Sequence, residues 1–306
     1  MPGAAQTSLS IENSGDLPTF KANVNLVNLY FNVKDKHGLL VSQLNSRDFK
    51  VLEDGKPQTV KNFAMETDQP LIVGMLLDTS QSQRMVLGME QEVGAQFLRQ
   101  VLRAKDRAFL VSIDTDVKLM QDFTASPNQL AYSLSRARIG AGIGTLLYDA
   151  VWLISRVKLA SEPGRKAMIL LTDGQDVGSR KRIREAIDEA QKADALVYVI
   201  MIADEESLGM YDAVGGYKGD KAMDDLARET GGRVIKAGHS EKKLQEAFDQ
   251  ISAELRSQYS LGYSPTNAKL DGTFRKIEIR TQNKEYRIQA RSGYYAAKNG
   301  AAKQVF

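Results

Sequence analysis

The stretch Leu71-Ile72-Val73-Gly74-Met75-Leu76-Leu77-Asp78-Thr79-Ser80-Gln81-Ser82 decides the architecture of this 306-residue chain. Its first seven residues form an unbroken apolar run of strand length, the texture of a parallel strand covered on both faces. The last five turn polar, with one carboxylate and two hydroxyls spaced by two. Downstream, Met85, Met89, Val93, Phe97 and Val101 recur four apart, which predicts an amphipathic helix over 85–102. The same alternation then repeats. Strands are expected at 108–113, 167–171 and 195–201, and helices at 146–157, 181–193, 221–229 and 241–255. Gly231-Gly232 ends one helix before a short strand at 233–235. Such alternation specifies an α/β fold: a doubly wound, mainly parallel sheet with helices on both faces.

The flanks have a different texture. Leu29, Phe31 and Val33 alternate, and Phe49–Glu53 and Thr59–Phe63 are separated by the turn Asp54-Gly55-Lys56-Pro57. Beyond residue 257, strands are expected at 259–263, 274–281 and 286–290, with turns at Asp271-Gly272 and Gln282-Asn283. Neither flank is large enough to bury a core alone. The expected organisation is an N-terminal β segment (1–68) pairing with a C-terminal β segment (258–296) into one β-sandwich-like module. The α/β domain (69–257) is inserted between them, and 297–306 form a tail.

Composition narrows the chemistry. The chain has no cysteine and two histidines, which excludes disulfides, thiolate nucleophiles and multi-histidine zinc sites. His37 and His239 fall in turn-like segments and are expected in solvent. Lys+Arg 41 against Asp+Glu 38 gives +3, without the basic excess of a nucleic-acid binder. No apolar run reaches the roughly 18 residues of a membrane span. Met1-Pro2-Gly3-Ala4-Ala5-Gln6 lacks the charged flank and apolar core of a signal peptide, so the chain is either cytoplasmic or exported with its leader removed. What remains is a site built from oxygen donors, which suits hard cations such as magnesium, calcium or manganese.

In open α/β sheets ligands bind outside the carboxyl ends of strands, where Asp78-Thr79-Ser80-Gln81-Ser82 falls. Taken alone, it reads equally as a helix N-cap. Two further segments shift that balance. Leu171-Thr172-Asp173-Gly174 places a second acid at a strand end, and Gly142-Ile143-Gly144-Thr145-Leu146 places a hydroxyl at a glycine-rich loop entering a helix.

Together, Asp78-x-Ser80-x-Ser82, Thr145 and Asp173 resemble the metal-ion-dependent adhesion site (MIDAS) of von Willebrand factor type A (VWA) domains. The segments 109–116 and 144–150 resemble that family too. The flanking motifs are similar to a narrower group, the bacterial (acidobacterial-type) VWFA-related proteins. They are Val41-x-x-Leu44, Asp48-Phe49-x-Val51-x-Glu53-Asp54-Gly55, Tyr259-x-Leu261-Gly262-Tyr263-Ser264-Pro265 and Arg291-x-Gly293-Tyr294-Tyr295. The resemblance implies a Mg²⁺-centred binding module without catalytic activity, usually in exported proteins, with Mn²⁺ or Ca²⁺ as alternative ions. It implies Ser80 and Ser82 as direct ligands and Thr145 as a ligand in the partner-bound arrangement. Asp78 and Asp173 would act directly or through water. The implied partner is a protein offering an acidic side chain, which completes the coordination sphere. Gln81 and Gln83-Arg84 depart from the pattern, where glycine and methionine are usual. Arg84 would either recruit an acidic partner or hinder metal access.

Rival readings are weaker. Gly140-Ala141-Gly142-Ile143-Gly144-Thr145 lacks the third glycine of a dinucleotide fingerprint, and no P-loop is present. A Mg²⁺-dependent phosphohydrolase using Asp78 as nucleophile would want a second acid beside it, and Ser80 stands there. A structural domain whose site takes no ion is the third reading. Asp114, Asp116 and Asp176 read as loop acids or caps, Met75, Met85, Met89 and Met168 as core, and Lys181-Arg182-Ile183-Arg184 as a solvated face. The stretch 204–219, with Met210, Tyr211 and Tyr217, is a candidate ligand-specificity loop.

Overall fold

The apolar run at 71–77 becomes a central strand of a six-stranded sheet. A computed structural model describes residues 26–65, 69–203 and 219–298. In chain order the elements of this sheet and its helices are β5 (Leu71–Asp78), α1 (Leu87–Val101), β6 (Arg107–Ile113), β7 (Val117–Thr124), α2 (Pro127–Ser135), α3 (Leu147–Ile154), β8 (Arg165–Thr172), α4 (Ile183–Lys192), β9 (Ala195–Met201), α5 (Gly219–Thr230), β10 (Val234–Lys236) and α6 (Glu241–Arg256). The strand order is β10-β9-β8-β5-β6-β7, parallel except for the antiparallel edge strand β7. Every residue of β5 and β8 is buried, as the apolar runs 71–77 and 167–171 require, and Asp78, Arg165, Lys166 and Thr172 at the strand ends are buried with them. From β5 the chain winds outward through β6 and β7, then returns to β8 and winds the other way. The switch between the two directions therefore lies between β5 and β8, the place where doubly wound sheets bind ligands.

Helices cover both faces. Phe97 of α1, Leu134 of α2 and Phe248 of α6 share one core, in which the Phe97 and Phe248 rings stack 4.5 Å apart. Val151 of α3, Ile187 of α4 and Leu226 of α5 share the other.

The chain ends supply two four-stranded antiparallel sheets. Their strands are β1 (Val27–Lys34), β2 (Phe49–Glu53), β3 (Lys56–Gln58), β4 (Val60–Met65), β11 (Tyr259–Tyr263), β12 (Phe274–Thr281), β13 (Arg287–Ala290) and β14 (Gly293–Tyr295). The orders are β13-β1-β11-β4 and β14-β12-β2-β3, so each sheet mixes strands from both ends. One core joins them through Phe31, Phe49, Tyr259 and Ile277. The α/β unit is thus inserted into a β-sandwich-like module. The flanking motifs meet inside it. The Tyr259 hydroxyl donates to Val41 O at 2.9 Å and accepts Leu44 N–H at 3.1 Å. Buried Glu53 accepts the hydroxyls of Tyr263 at 2.8 Å and Tyr294 at 2.9 Å and faces Arg275 at 3.5 Å.

Buried polar groups fasten the inserted unit. Glu254 of α6 pairs with Lys34 at 2.7 Å and Arg233 at 2.6 Å and accepts Gln289 Nε2 at 3.1 Å. A buried carboxylate held by several donors tolerates little displacement.

Some expectations are corrected. The edge strand β7, the short helix α2 and β14 were not expected, nor was β3, which takes Lys56 and Pro57 out of the turn expected at 54–57. The helix predicted from 85 begins at 87, after a one-turn 3₁₀ segment at Gln81–Met85. That turn leaves Met85 86% exposed, so it is not core, whereas Met75 and Met168 are fully buried. The third helix stops at 154 and continues as a π-turn over Ser155–Leu159. Of the tail, Lys298 bridges to Asp271, against the expectation of a free end. Residues 299–306, and 204–218 of the candidate specificity loop, lie outside the described residues. No helix among the described residues is long and apolar enough to cross a membrane.

Candidate metal centre

Three loops converge at the switch point. β5 delivers Asp78, and Thr79 N–H anchors to Ile113 O at the end of β6 at 2.7 Å. The Asp78 carboxylate accepts Ser80 N–H on Oδ1 at 2.9 Å and the Thr172 hydroxyl on Oδ2 at 2.8 Å. This short turn aims the next hydroxyls together, with Ser80 Oγ 2.9 Å from Ser82 Oγ.

β8 delivers Thr172 and then Asp173, whose Oδ1 accepts Gln175 N–H at 3.0 Å. Gly174 takes φ +84°, the left-handed conformation that lets the chain reverse there. The loop before α3 brings Thr145. Its N–H and C=O exchange hydrogen bonds with Val177, both 2.9 Å, so it lies against the loop that follows Asp173. The same loop reaches the β5 end through Gly140 N–H to Thr79 O at 2.8 Å, and Leu146 N–H donates to Asp114 O at 2.9 Å. Gly140 has no room for a side chain, since a Cβ there would lie 2.4 Å from Asp114 Oδ2. Of the five predicted residues, Asp78, Ser80, Thr145 and Asp173 are buried and Ser82 is exposed.

The electrostatics are those of a site short of positive charge. Burial, reinforced by the charge of Asp173, pushes the Asp78 carboxyl up to about 6, against the hydrogen bonds from Ser80 and Thr172. Glu90 of α1 is fully buried. Burial, then the charges of Asp78 and Asp173, push its carboxyl up to about 8. Neither Glu90 oxygen, nor Oε1 of buried Gln83, has a hydrogen-bond partner among the described residues. Acceptors thus outnumber donors, and a cation satisfies such an excess. Among the described residues no three acidic or histidine side chains converge as a ligand set by themselves. An ion here would therefore draw on hydroxyl oxygens as well as carboxylates. That donor set fits a hard cation.

Thr172, Gln83 and Glu90 were missed in the sequence. Thr172 reads as a neighbour of the strand-end acid Asp173, and Gln83 only as a departure from the family pattern. Glu90 carried a signal, a charge three residues before Val93 on the buried stripe of α1. The loop acids Asp114 and Asp176 act in the scaffold. Asp114 accepts Asp116 N–H at 2.9 Å, and Asp176 accepts Tyr148 N–H at 3.0 Å at the start of α3. Arg84 turns aside, donating to Gln81 Oε1 at 2.6 Å, while Gln81 Nε2 reaches Gly140 O. His37 and His239 are exposed.

The architecture has solved counterparts. Proximal thread matrix protein 1 from the mussel byssus matches with a TM-score of 0.51 and 12% identity, covering 76% of this chain and 50% of that one. Its structure with a zinc-occupied MIDAS motif matches with a TM-score of 0.52 and 13% identity, over 65% of this chain and 48% of that one. The chain has a VWA-like fold. The match spans about half the length of the byssus protein, and at these identities the likeness is one of fold. BatB from Bacteroides thetaiotaomicron matches with a TM-score of 0.48 and 16% identity, over 61% of this chain and all (100%) of that one. No family model and no curated protein matches the VWA-like chain.

Proposed function

We propose that this protein is a metal-dependent binding module, in which Asp78, Ser80, Ser82, Thr145 and Asp173 hold Mg²⁺ and a protein partner contributes an acidic side chain. Mn²⁺ and Ca²⁺ suit the same oxygen donors. On this reading residues 69–257 are the binding unit, and 1–68 with 258–296 are its support. The observation that carries the proposal is the pair of hydroxyls, Ser80 Oγ and Ser82 Oγ, held 2.9 Å apart beside a buried aspartate at the switch point.

When bound, the ion would supply the positive charge that a partner carboxylate seeks. The chain's own residues arrange the rest. Thr172 and Ser80 N–H fix the Asp78 carboxylate, the left-handed turn at Gly174 follows Asp173, and the Val177 bridge holds Thr145 against the loop after Asp173. Asp78 and Asp173 with three neutral hydroxyls would leave a divalent ion with coordination positions that a partner carboxylate could fill.

Turnover is the weaker reading. Asp78 is fully buried and both its oxygens already accept hydrogen bonds, which leaves it badly placed as a nucleophile. The deciding experiment is magnesium calorimetry on wild type, Asp78→Ala and Ser80→Ala/Ser82→Ala. Wild type should take up one ion and both variants should lose it. Equal uptake by all three overturns the assignment, and hydrolysis of p-nitrophenyl phosphate that Asp78→Asn abolishes would favour the enzyme.

A further inference from the structure

A cavity of about 750 Å³ opens away from the metal centre. Asp194, just ahead of β9, and Lys192, at the end of α4, form one wall, so the cavity sits at the amino ends of the parallel strands. The other walls come from the β-sandwich-like module, which makes this a site on the seam between the two parts of the chain.

Its charge is one-sided. Lys61, Lys192, Lys269, Arg275 and Arg291 line it against the single carboxylate of Asp194. Three of these cations are already engaged. Arg275 faces Glu53, Arg291 pairs with Asp194, and Lys192 meets Glu189 at 3.1 Å while lying over the Tyr295 ring. Lys61 and Lys269 make no ion pair among the described residues, so two positive charges at the cavity are uncompensated.

The hydrogen-bonding inventory has the same sign. Among the described residues Ser264 Oγ is buried without a partner, as are Nε of Arg275 and Nε of Arg291, so within them the unmet capacity at the cavity is two N–H donors and a hydroxyl. The wall is also preorganised. Arg275 donates to the carbonyls of Asn267 and Lys269, and Gln58 and Thr266 exchange hydrogen bonds of 3.1 and 2.9 Å, which pins the loop that carries Lys269. Leu26, Pro265 and Leu270 add apolar surface. The volume falls in the range of small-molecule sites, about 300–1,000 Å³.

We propose that this seam cavity binds an oxyanion, carboxylate or phosphate, carried on a small apolar body. Lys61 and Lys269 supply the attraction, and the apolar wall takes the body.

The test is calorimetry on the full chain in metal-free buffer, with phenyl phosphate, benzoate and the neutral control benzyl alcohol. At least one anion should bind saturably, at least tenfold more tightly than benzyl alcohol. Lys61→Gln/Lys269→Gln should weaken it tenfold or more while leaving the thermal midpoint of the unliganded protein unchanged, since both lysines are exposed. Binding of phenyl phosphate alone assigns a phosphate ligand, and of benzoate alone a carboxylate. Three outcomes overturn the proposal: no anion binding, equal binding by the double variant, or binding that appears only when magnesium is added. The last would assign the anion to the metal centre.

Discussion

Thr172 donates its hydroxyl to Oδ2 of Asp78 at 2.8 Å and accepts Gly174 N–H at 3.0 Å, joining the ends of two adjacent strands. Because the hydroxyl oxygen already accepts from Gly174, its proton is directed at the carboxylate. Thr172 therefore positions the aspartate on which the metal centre depends. Thr172→Val keeps the shape and removes the donor, leaving a buried carboxylate one bond short, at a cost of about 1–3 kcal/mol. We expect magnesium affinity to fall about tenfold or more in calorimetry, with Thr172→Ser restoring most of it. Unchanged affinity in Thr172→Val would remove the positioning role.

The metal-free protein should lose stability as pH rises. Asp78 is raised from 3.8 to about 6 and Glu90 from 4.5 to about 8. The folded state therefore holds protons that the unfolded state has released, so the stabilisation is present at low pH and is lost through this window. Each unit of separation is worth about 1.4 kcal/mol, and because the Asp78 charge itself raises Glu90 the two contributions do not simply add. Urea midpoints in chelator should fall between pH 5 and 8.5, and Glu90→Gln should flatten the upper half of the fall. A midpoint that rises across that range contradicts the assignment.

Glu53 is the anchor of the β module. Its carboxylate holds the hydroxyls of Tyr263 and Tyr294 and faces buried Arg275. Glu53→Ala strands a buried guanidinium and two phenols, and removing one partner of such a pair costs about 3–5 kcal/mol. Chemical denaturation should show that loss. In whatever fraction stays folded, magnesium affinity should match wild type, because Glu53 lies in a different sheet from the metal centre.

Gly140→Ala should separate loop geometry from global stability. The added methyl meets the Asp114 side chain at 2.4–2.8 Å, so the loop carrying Thr145 must shift. Metal-dependent partner capture should weaken by several-fold while the thermal midpoint moves by only a few degrees. A variant with wild-type binding would show that the Thr145 loop is not required.

Much of the molecule was legible in local pattern. A strand buried on both faces must be apolar throughout, so 71–77, 167–171 and 195–201 declared themselves as parallel strands, and the abrupt change to Asp-x-Ser-x-Ser marked where one ended. Two elements at the sheet margin were not legible. The edge strand β7 is half exposed and has no clean apolar period, and α2 buries only Leu130 and Leu134. Met85 shows the limit of period alone, since it fits a four-residue series yet lies in a 3₁₀ turn outside the core.

Sequence by itself determined the strands and helices with a clear buried face and which polar groups stand at strand ends, because burial of one face or two imposes a period on neighbouring residues. Only the tertiary structure decided which strand ends meet. Thr172 and Asp78 are 94 positions apart, and Glu53 and Tyr294 are 241 apart. Their pairing depends on β8 lying beside β5 and on both chain ends sharing one core. The hydrophobic effect that drives this assembly is non-directional, so an apolar run announces that it will be buried without naming its neighbour. Hydrogen-bond register and the buried carboxylates select that neighbour, and they exist only once the chain has closed.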